Sequence, residues 1–287
     1  MQLHPVPPSA GDIDRVIYQS EAGAVGTFRC SVSHPLFRDS GPIRNHCVVF
    51  PRTAVTIHPR GAAPFQADAT VATVYRPGQE YARRPVDAAG DRCDYFVPGP
   101  DVLRDAEPLF AERRVGTPGS LYFRQRAVVR RVLEARPEAS LAVDEAIVEV
   151  IGAAADTVVR PRRRTGDSSA RHREWVAHAQ FLLARNPGAD LTLTVIALRV
   201  GCSAFHLCRV FRARTGRSLH EYRMEFRLRA SLDRLEQGDD ITSVALALGF
   251  SSHSHFTSAF RRRFGRAPRD YRAVDAAAWH CGIVGAP

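Results

Sequence analysis

The chain has 287 residues, 45% hydrophobic and 24% charged, enough apolar material for two packed cores; this excludes a disordered or fibrous polypeptide. No apolar run approaches the roughly 20 residues of a membrane-spanning helix. The start, MQLHPVPPSAGDID, lacks the basic, apolar and cleavage-site pattern of a secretion signal, so a cytoplasmic protein with no membrane attachment is expected. Arginine supplies all 40 basic residues. Residues 1–160 balance 19 Arg against 19 Asp and Glu, whereas residues 161–287 hold 21 Arg against 11. The net charge of +10 therefore lies entirely in the C-terminal part and points to a polyanion, nucleic acid first, as the partner of one domain.

Residues 11–100 carry short apolar runs broken by Pro and Gly: 25–32, 46–52, 54–59, 70–75 and 93–97. Their β-branched and aromatic content predicts an all-β unit, a small barrel or sandwich, over residues 1–116. From Thr117 apolar residues recur at helical spacing, predicting a helix pair over 118–135 and 140–159. Its apolar stripe either packs on the β unit or serves a second subunit. Residues 160–170, RPRRRTGDSSA, read as a linker; Arg162, Arg163 and Arg164 either touch phosphate or are simply solvated. The fold class expected is thus α+β and multidomain, with an all-α segment over 171–274 and a tail over 275–287.

Six cysteines (30, 47, 93, 202, 208 and 281) form no C-x-x-C pair, which argues against a disulfide framework or a zinc finger. The segment 171–274 contains an internal repeat. Residues 196–223 match 244–272, pairing Ala197 with Ala245, Gly201 with Gly249 and Ser203 with Ser252. Leu207 pairs with Phe256, Phe211 with Phe260, Gly216 with Gly265, Tyr222 with Tyr271 and Arg223 with Arg272. Each copy predicts a short helix closed by glycine, a turn, and a second helix capped by serine, which is a helix-turn-helix motif whose second helix suits the major groove. A helix over 219–237, buried through Tyr222, Phe226, Leu228, Leu232 and Leu235, would separate the copies by about 28 Å. That is close to the roughly 34 Å between successive major-groove faces on one side of B-DNA.

The tandem motif resembles the DNA-binding domain of AraC/XylS-type transcription regulators, most specifically over ALGFSSHSHFTSAFRRRFGRAPRDYR. The β-rich unit is similar, in architecture only, to the cupin-like sensor and dimerisation domain of that family. The resemblance implies duplex DNA, RNA polymerase and a second copy of the chain as partners, with a small-molecule effector at the N-terminal domain. It implies an activator and no enzyme.

The family pattern places Phe205, Cys208 and Arg209 on the reading face of the first recognition helix, and His253, Ser254 and Ser258 on that of the second. Arg209 suits guanine O6 and N7 together, or else a phosphate. Phe205 either presses on a thymine methyl or packs inward, and Cys208 fills space at the groove or senses oxidant. His253 reaches a base or a phosphate, His255 is structural, and the two serines are weak readers. Ser203, Arg212, Arg214 and Arg217, with Ser252, Arg261, Arg262 and Arg266, are expected on phosphates. Arg263 belongs to the same basic run. In the N-terminal unit Arg44, His46, His58, Arg76 and Tyr95 are candidates for a pocket. No H-x-H pair occurs before His253, so neither a metal nor another cofactor is expected there. The alternative is a redox or electrophile sensor acting through Cys30, Cys47 or Cys93.

Overall fold

A computed structural model describes residues 13–134, 140–158, 170–189 and 191–272. Most of the expected linker and the whole tail fall outside these residues. The architecture is α+β, and the chain divides into two compact units. The first holds residues up to Ala67, Val71–Val115 and Gln125–Val158; the second holds Asp68–Thr70, Gly116–Arg124 and the chain from Val159 onward.

The first unit contains the nine strands of the described residues, apart from Gly116 at the end of β9. β1 (Asp14–Gln19), β2 (Gly23–Cys30), β3 (Cys47–Pro51), β4 (Val55–Pro59) and β5 (Phe65–Ala67) are followed by β6 (Val71–Tyr75), β7 (Tyr81–Pro85), β8 (Asp91–Pro98) and β9 (Arg114–Gly116). One sheet runs β1-β2-β8-β3-β6-β9 and a smaller one β5-β4-β7. The five apolar runs in the sequence correspond to β2, β3, β4, β6 and β8. The other strands are short or polar on one face, which hides them from a search for apolar runs. In β8, Asp91, Cys93, Asp94 and Phe96 are all buried, so this central strand has no solvated face.

After α1 (Pro100–Asp105) come α2 (Gly119–Glu134) and α3 (Ser140–Asp156), the expected helix pair. α3 lies on β2 and β8. Its stripe of Val143, Ile147, Val150, Ile151 and Ala154 is buried, so this apolar face covers the sheet. Leu141 and Val148, seven residues apart on another face of α3, remain exposed.

Buried ion pairs brace the β unit. Arg83 Nη1 donates to Asp91 Oδ2 at 2.7 Å, with its guanidinium 4.7 Å from the centre of the Phe28 ring. Arg52 Nε donates to Asp94 Oδ2 at 2.8 Å. Burial pushes the Asp91 carboxyl up, and Arg83 opposes that shift.

The second unit carries α4 (Ala170–Arg185), α5 (Leu193–Val200), α6 (Ala204–Thr215), α7 (Leu219–Glu236), α8 (Ile241–Ala247), α9 (His253–Phe264) and α10 (Pro268–Arg272). No described helix is long and apolar enough to cross a membrane. α7 buries Tyr222, Phe226, Leu228, Leu232 and Leu235, as its spacing predicts. It begins with a reciprocal cap: Ser218 Oγ accepts from Glu221 N at 3.1 Å, and Ser218 N donates to the Glu221 carboxylate at 2.6 Å.

Candidate nucleic-acid interface

The sequence repeat is also a repeat of bonds. Ser203 Oγ accepts from His206 N at 3.2 Å and Ser252 Oγ from His255 N at 3.1 Å, so both recognition helices start with the expected serine cap. Leu207, Phe211, Phe256 and Phe260 are fully buried. Gly216 and Gly265 close α6 and α9 in the left-handed conformation. Tyr222 and Tyr271 are both buried, and each donates its hydroxyl to a carboxylate, Asp68 and Glu236 respectively. Arg223 donates to Leu191 O at 2.8 Å and Arg272 to Gly238 O at 3.2 Å. Each arginine thus ties its copy to the loop leading into that copy's first helix.

The turns between the helices need glycine. Gly201 and Gly249 have φ of +79° and +74°. A Cβ on Gly201 would meet nothing within 4 Å, whereas one on Gly249 would lie 2.5 Å from Arg227 Nη2 and 2.8 Å from Gly188 O. Arg227, on α7, donates to Gly249 O at 2.7 Å, Pro187 O at 2.8 Å and Ala189 O at 3.4 Å. One guanidinium thereby joins the turn of the second motif to the loop ahead of the first. Composition gives no hint of this role; a charged residue at a buried position of α7 was the available signal.

The expected reading residues are exposed. On α6, Phe205 is 73% exposed, and Cys208 and Arg209 also face solvent, opposite buried Leu207, Val210 and Phe211. The inward-packing alternative for Phe205 is therefore set aside. On α9, Ser254 and Ser258 are exposed opposite Phe256, Ala259 and Phe260, and His253 is exposed at the first residue of the helix. His253 Nδ1 lies 3.2 Å from Thr242 Oγ1, and His255 Nδ1 lies 3.0 Å from Ser251 Oγ. The His255 ring also stands edge-on to Phe250, which fits the structural role expected of it.

Arg212, Arg214, Arg261 and Arg262 are exposed, and Arg217 and Arg266 are half-buried. Burial and the neighbouring Arg173 both pull the Arg214 guanidinium down from its ordinary value. Two cations held side by side favour an anion between them. Arg263 departs from the expected basic run. Its Nη2 donates to Glu225 Oε1 at 2.7 Å, and the same carboxylate accepts from Arg229 Nε at 2.5 Å. It is a core ion-pair partner because Glu225 and Arg229 are themselves buried. Burial raises the Glu225 carboxyl, but Arg229 and Arg263 outweigh that and hold it below its ordinary value.

In the β unit the expected pocket residues disperse. Tyr95 donates to Asp14 at 2.6 Å, and His46 packs edge-on to Phe110 at 4.9 Å. A small recess of about 20 Å³ is lined instead by Ile57, Phe65, Tyr75, Tyr81, Glu80 and Arg113 among others, and none of the five expected residues borders it. Tyr75 and Tyr81 stack there at 4.9 Å. Cys30 and Cys93 are buried and Cys47 half-buried. Burial pushes all three thiols up, Cys47 to about 12. Low-pKa thiolate character, which reactive cysteines need, is lacking at these three positions. Among the described residues no group of three or more His, Cys, Asp or Glu is placed to hold a metal ion.

A helix-turn-helix domain model matches residues 196–273. The regulatory protein SoxS of Salmonella typhimurium is 37% identical over 83 residues, covering 29% of this chain and 78% of SoxS. The HTH-type transcriptional regulator ArgR of Pseudomonas aeruginosa is 34% identical over 134 residues, covering 43% of this chain and 41% of ArgR. The chain thus spans less than half the length of that larger relative. A solved AraC-type regulator from Chromobacterium violaceum is 34% identical, covers 37% of this chain and 95% of its own, and has a TM-score of 0.35. With matched helix-turn-helix copies and relatives that are regulators, the chain belongs to the AraC/XylS family of DNA-binding transcription regulators.

Proposed function

We propose that the protein is a cytoplasmic transcription activator whose two recognition helices, α6 and α9, enter neighbouring major-groove segments of one promoter and recruit RNA polymerase. In this reading Arg209 pairs with a guanine edge, Phe205 presses on a thymine methyl and Cys208 fills the groove wall. His253, with Nδ1 engaged by Thr242, reads through Nε2, and Ser254 and Ser258 discriminate weakly. Ser203, Arg212, Arg214, Arg217, Ser252, Arg261, Arg262 and Arg266 hold phosphates. The observation that carries this reading is the solvent exposure of 205, 208 and 209 on α6 and of 253, 254 and 258 on α9, on helices capped alike. Arg227 sets the pitch between the copies through its three carbonyl bonds.

The domain plan is a cupin-like sensor over 1–116, a helix pair over 117–159 that dimerises, a linker over 160–170, and the DNA-binding segment over 171–274. Leu141 and Val148 support the dimer because they are apolar, exposed and on one face of α3. A small effector at this domain rests on the family resemblance, since the recess beside stacked Tyr75 and Tyr81 has room for about one water molecule. The raised thiols of Cys30, Cys47 and Cys93 speak against the oxidant-sensing alternative.

The test is selection of duplexes from a random library by the wild type and by Arg209→Ala. The variant should lose preference at one base position and about 1–3 kcal/mol on the selected site. Equal loss on selected and random duplex would remove Arg209 from base reading.

A further inference from the structure

We propose that His172 and His206 form a bidentate site for a borderline transition-metal ion of the Zn²⁺ or Ni²⁺ kind, tying α4 to the first recognition helix. The Nε2 atoms of the two imidazoles lie 3.4 Å apart, with ring centroids 5.3 Å apart and planes at 59°. A zinc ion binds imidazole nitrogen at about 2.0–2.1 Å, and two such bonds at a tetrahedral angle separate the nitrogens by about 3.4 Å. The pair therefore has the bite of a metal chelate, and it joins residues 34 positions apart on two different helices.

Trp175 fixes both rings. Its indole stands perpendicular to His206 at 5.0 Å and lies 5.3 Å from His172. The second copy provides an internal control. His255 occupies the position of His206 and stands edge-on to Phe250 at 5.5 Å, but its ring nitrogen meets the Ser251 hydroxyl at 3.0 Å. Where one copy offers a hydroxyl, the other offers a second imidazole.

Among the described residues no third His, Cys, Asp or Glu completes the set. Neutral nitrogen donors select borderline metals over Mg²⁺ and Ca²⁺, which need several oxygen ligands. A shared hydrogen bond is the competing state of the pair. It requires one Nε2 to carry a proton, whereas chelation requires both to be unprotonated.

The test uses the untagged full chain with Trp279→Phe, which leaves Trp175 as the only one of two tryptophans. Nickel chloride should quench its fluorescence saturably and raise the melting temperature. His206→Gln keeps a side-chain N–H but cannot chelate; it and His172→Ala should each raise the half-saturating nickel concentration tenfold or more. As a readout free of any histidine substitution, ring ¹⁵N shifts of the histidine-labelled chain should move for two Nε2 atoms together on adding zinc chloride. Non-saturable quenching, equal half-saturation in both variants, or zinc shifts confined to other histidines would overturn the proposal. No DNA enters the experiment, so its failure would leave the promoter-binding reading standing.

Discussion

The two helix-turn-helix copies share their caps, closing glycines and buried tyrosines but differ in what fills and flanks them. The second copy is an aromatic stack: Phe250 meets Phe256 at 5.0 Å, Phe256 meets Phe260 at 5.6 Å, and Phe260 meets Phe264 at 4.7 Å. The first has Leu207, Val210 and Phe211, and takes its next aromatic contact from Tyr222 at 5.4 Å. On the outer face the order reverses. The first copy shows Phe205 and Arg209, the second small polar residues and a basic run. In the proposed reading this difference is a division of labour, in which the second copy positions the protein while the first discriminates between bases.

The largest effect that would break this comparison is expected in the cores. Phe256→Ala should cost about 3–5 kcal/mol, and Leu207→Ala at the matching position about 2–5. Thermal unfolding checks both, and a smaller loss from Phe256→Ala would break the contrast between the two cores. Glu225→Gln leaves buried Arg229 without its charge partner and should cost about 3–5 kcal/mol. Because the folded Glu225 carboxyl lies below its ordinary 4.5, its contribution is complete above about that pH. It is lost as pH falls through the lower folded value. Glu225→Gln should therefore flatten the acid limb of a stability–pH profile, and an unchanged limb would remove Glu225 from that role.

Glycine substitutions sharpen the contrast. Gly201→Ala should cost about 1–2 kcal/mol for the left-handed backbone alone. Gly249→Ala should cost more, since the added methyl also collides with Arg227 and the Gly188 carbonyl. Equal costs would mean that Arg227 gives way freely. The smallest effect expected is that of Arg261→Ala, which should weaken every duplex alike and reduce the salt slope of binding by about 1. A binding isotherm series in salt reads it directly, and an unaltered slope would take Arg261 off the phosphate backbone.

Much of the helical unit was legible because its signals are local. Serine caps, closing glycines and the spacing of Leu207, Phe211, Phe256 and Phe260 are written within a few residues of the structure they cause. The exposed face of α6 followed from the same spacing. Three features were not legible. Arg263 looked like part of a basic run, because its partner Glu225 is 38 positions away in sequence. Arg227 was not singled out, because its acceptors are backbone carbonyls, which carry no sequence mark. In the β unit, β7 was hidden because its pairing partner β4 lies well back in the sequence, and β1, a hairpin partner of β2, because its residues are mostly exposed. The recess formed by Tyr75 and Tyr81 has the same origin, since those residues meet only once β6 and β7 are in place.

The most direct test of the account is the base-by-base preference map of the wild-type protein on a randomised duplex library, set beside that of Arg209→Ala. The account predicts two blocks of preference about one helical turn apart, the sharper one losing a single position in the variant. One block only, or two blocks untouched by the substitution, would contradict it.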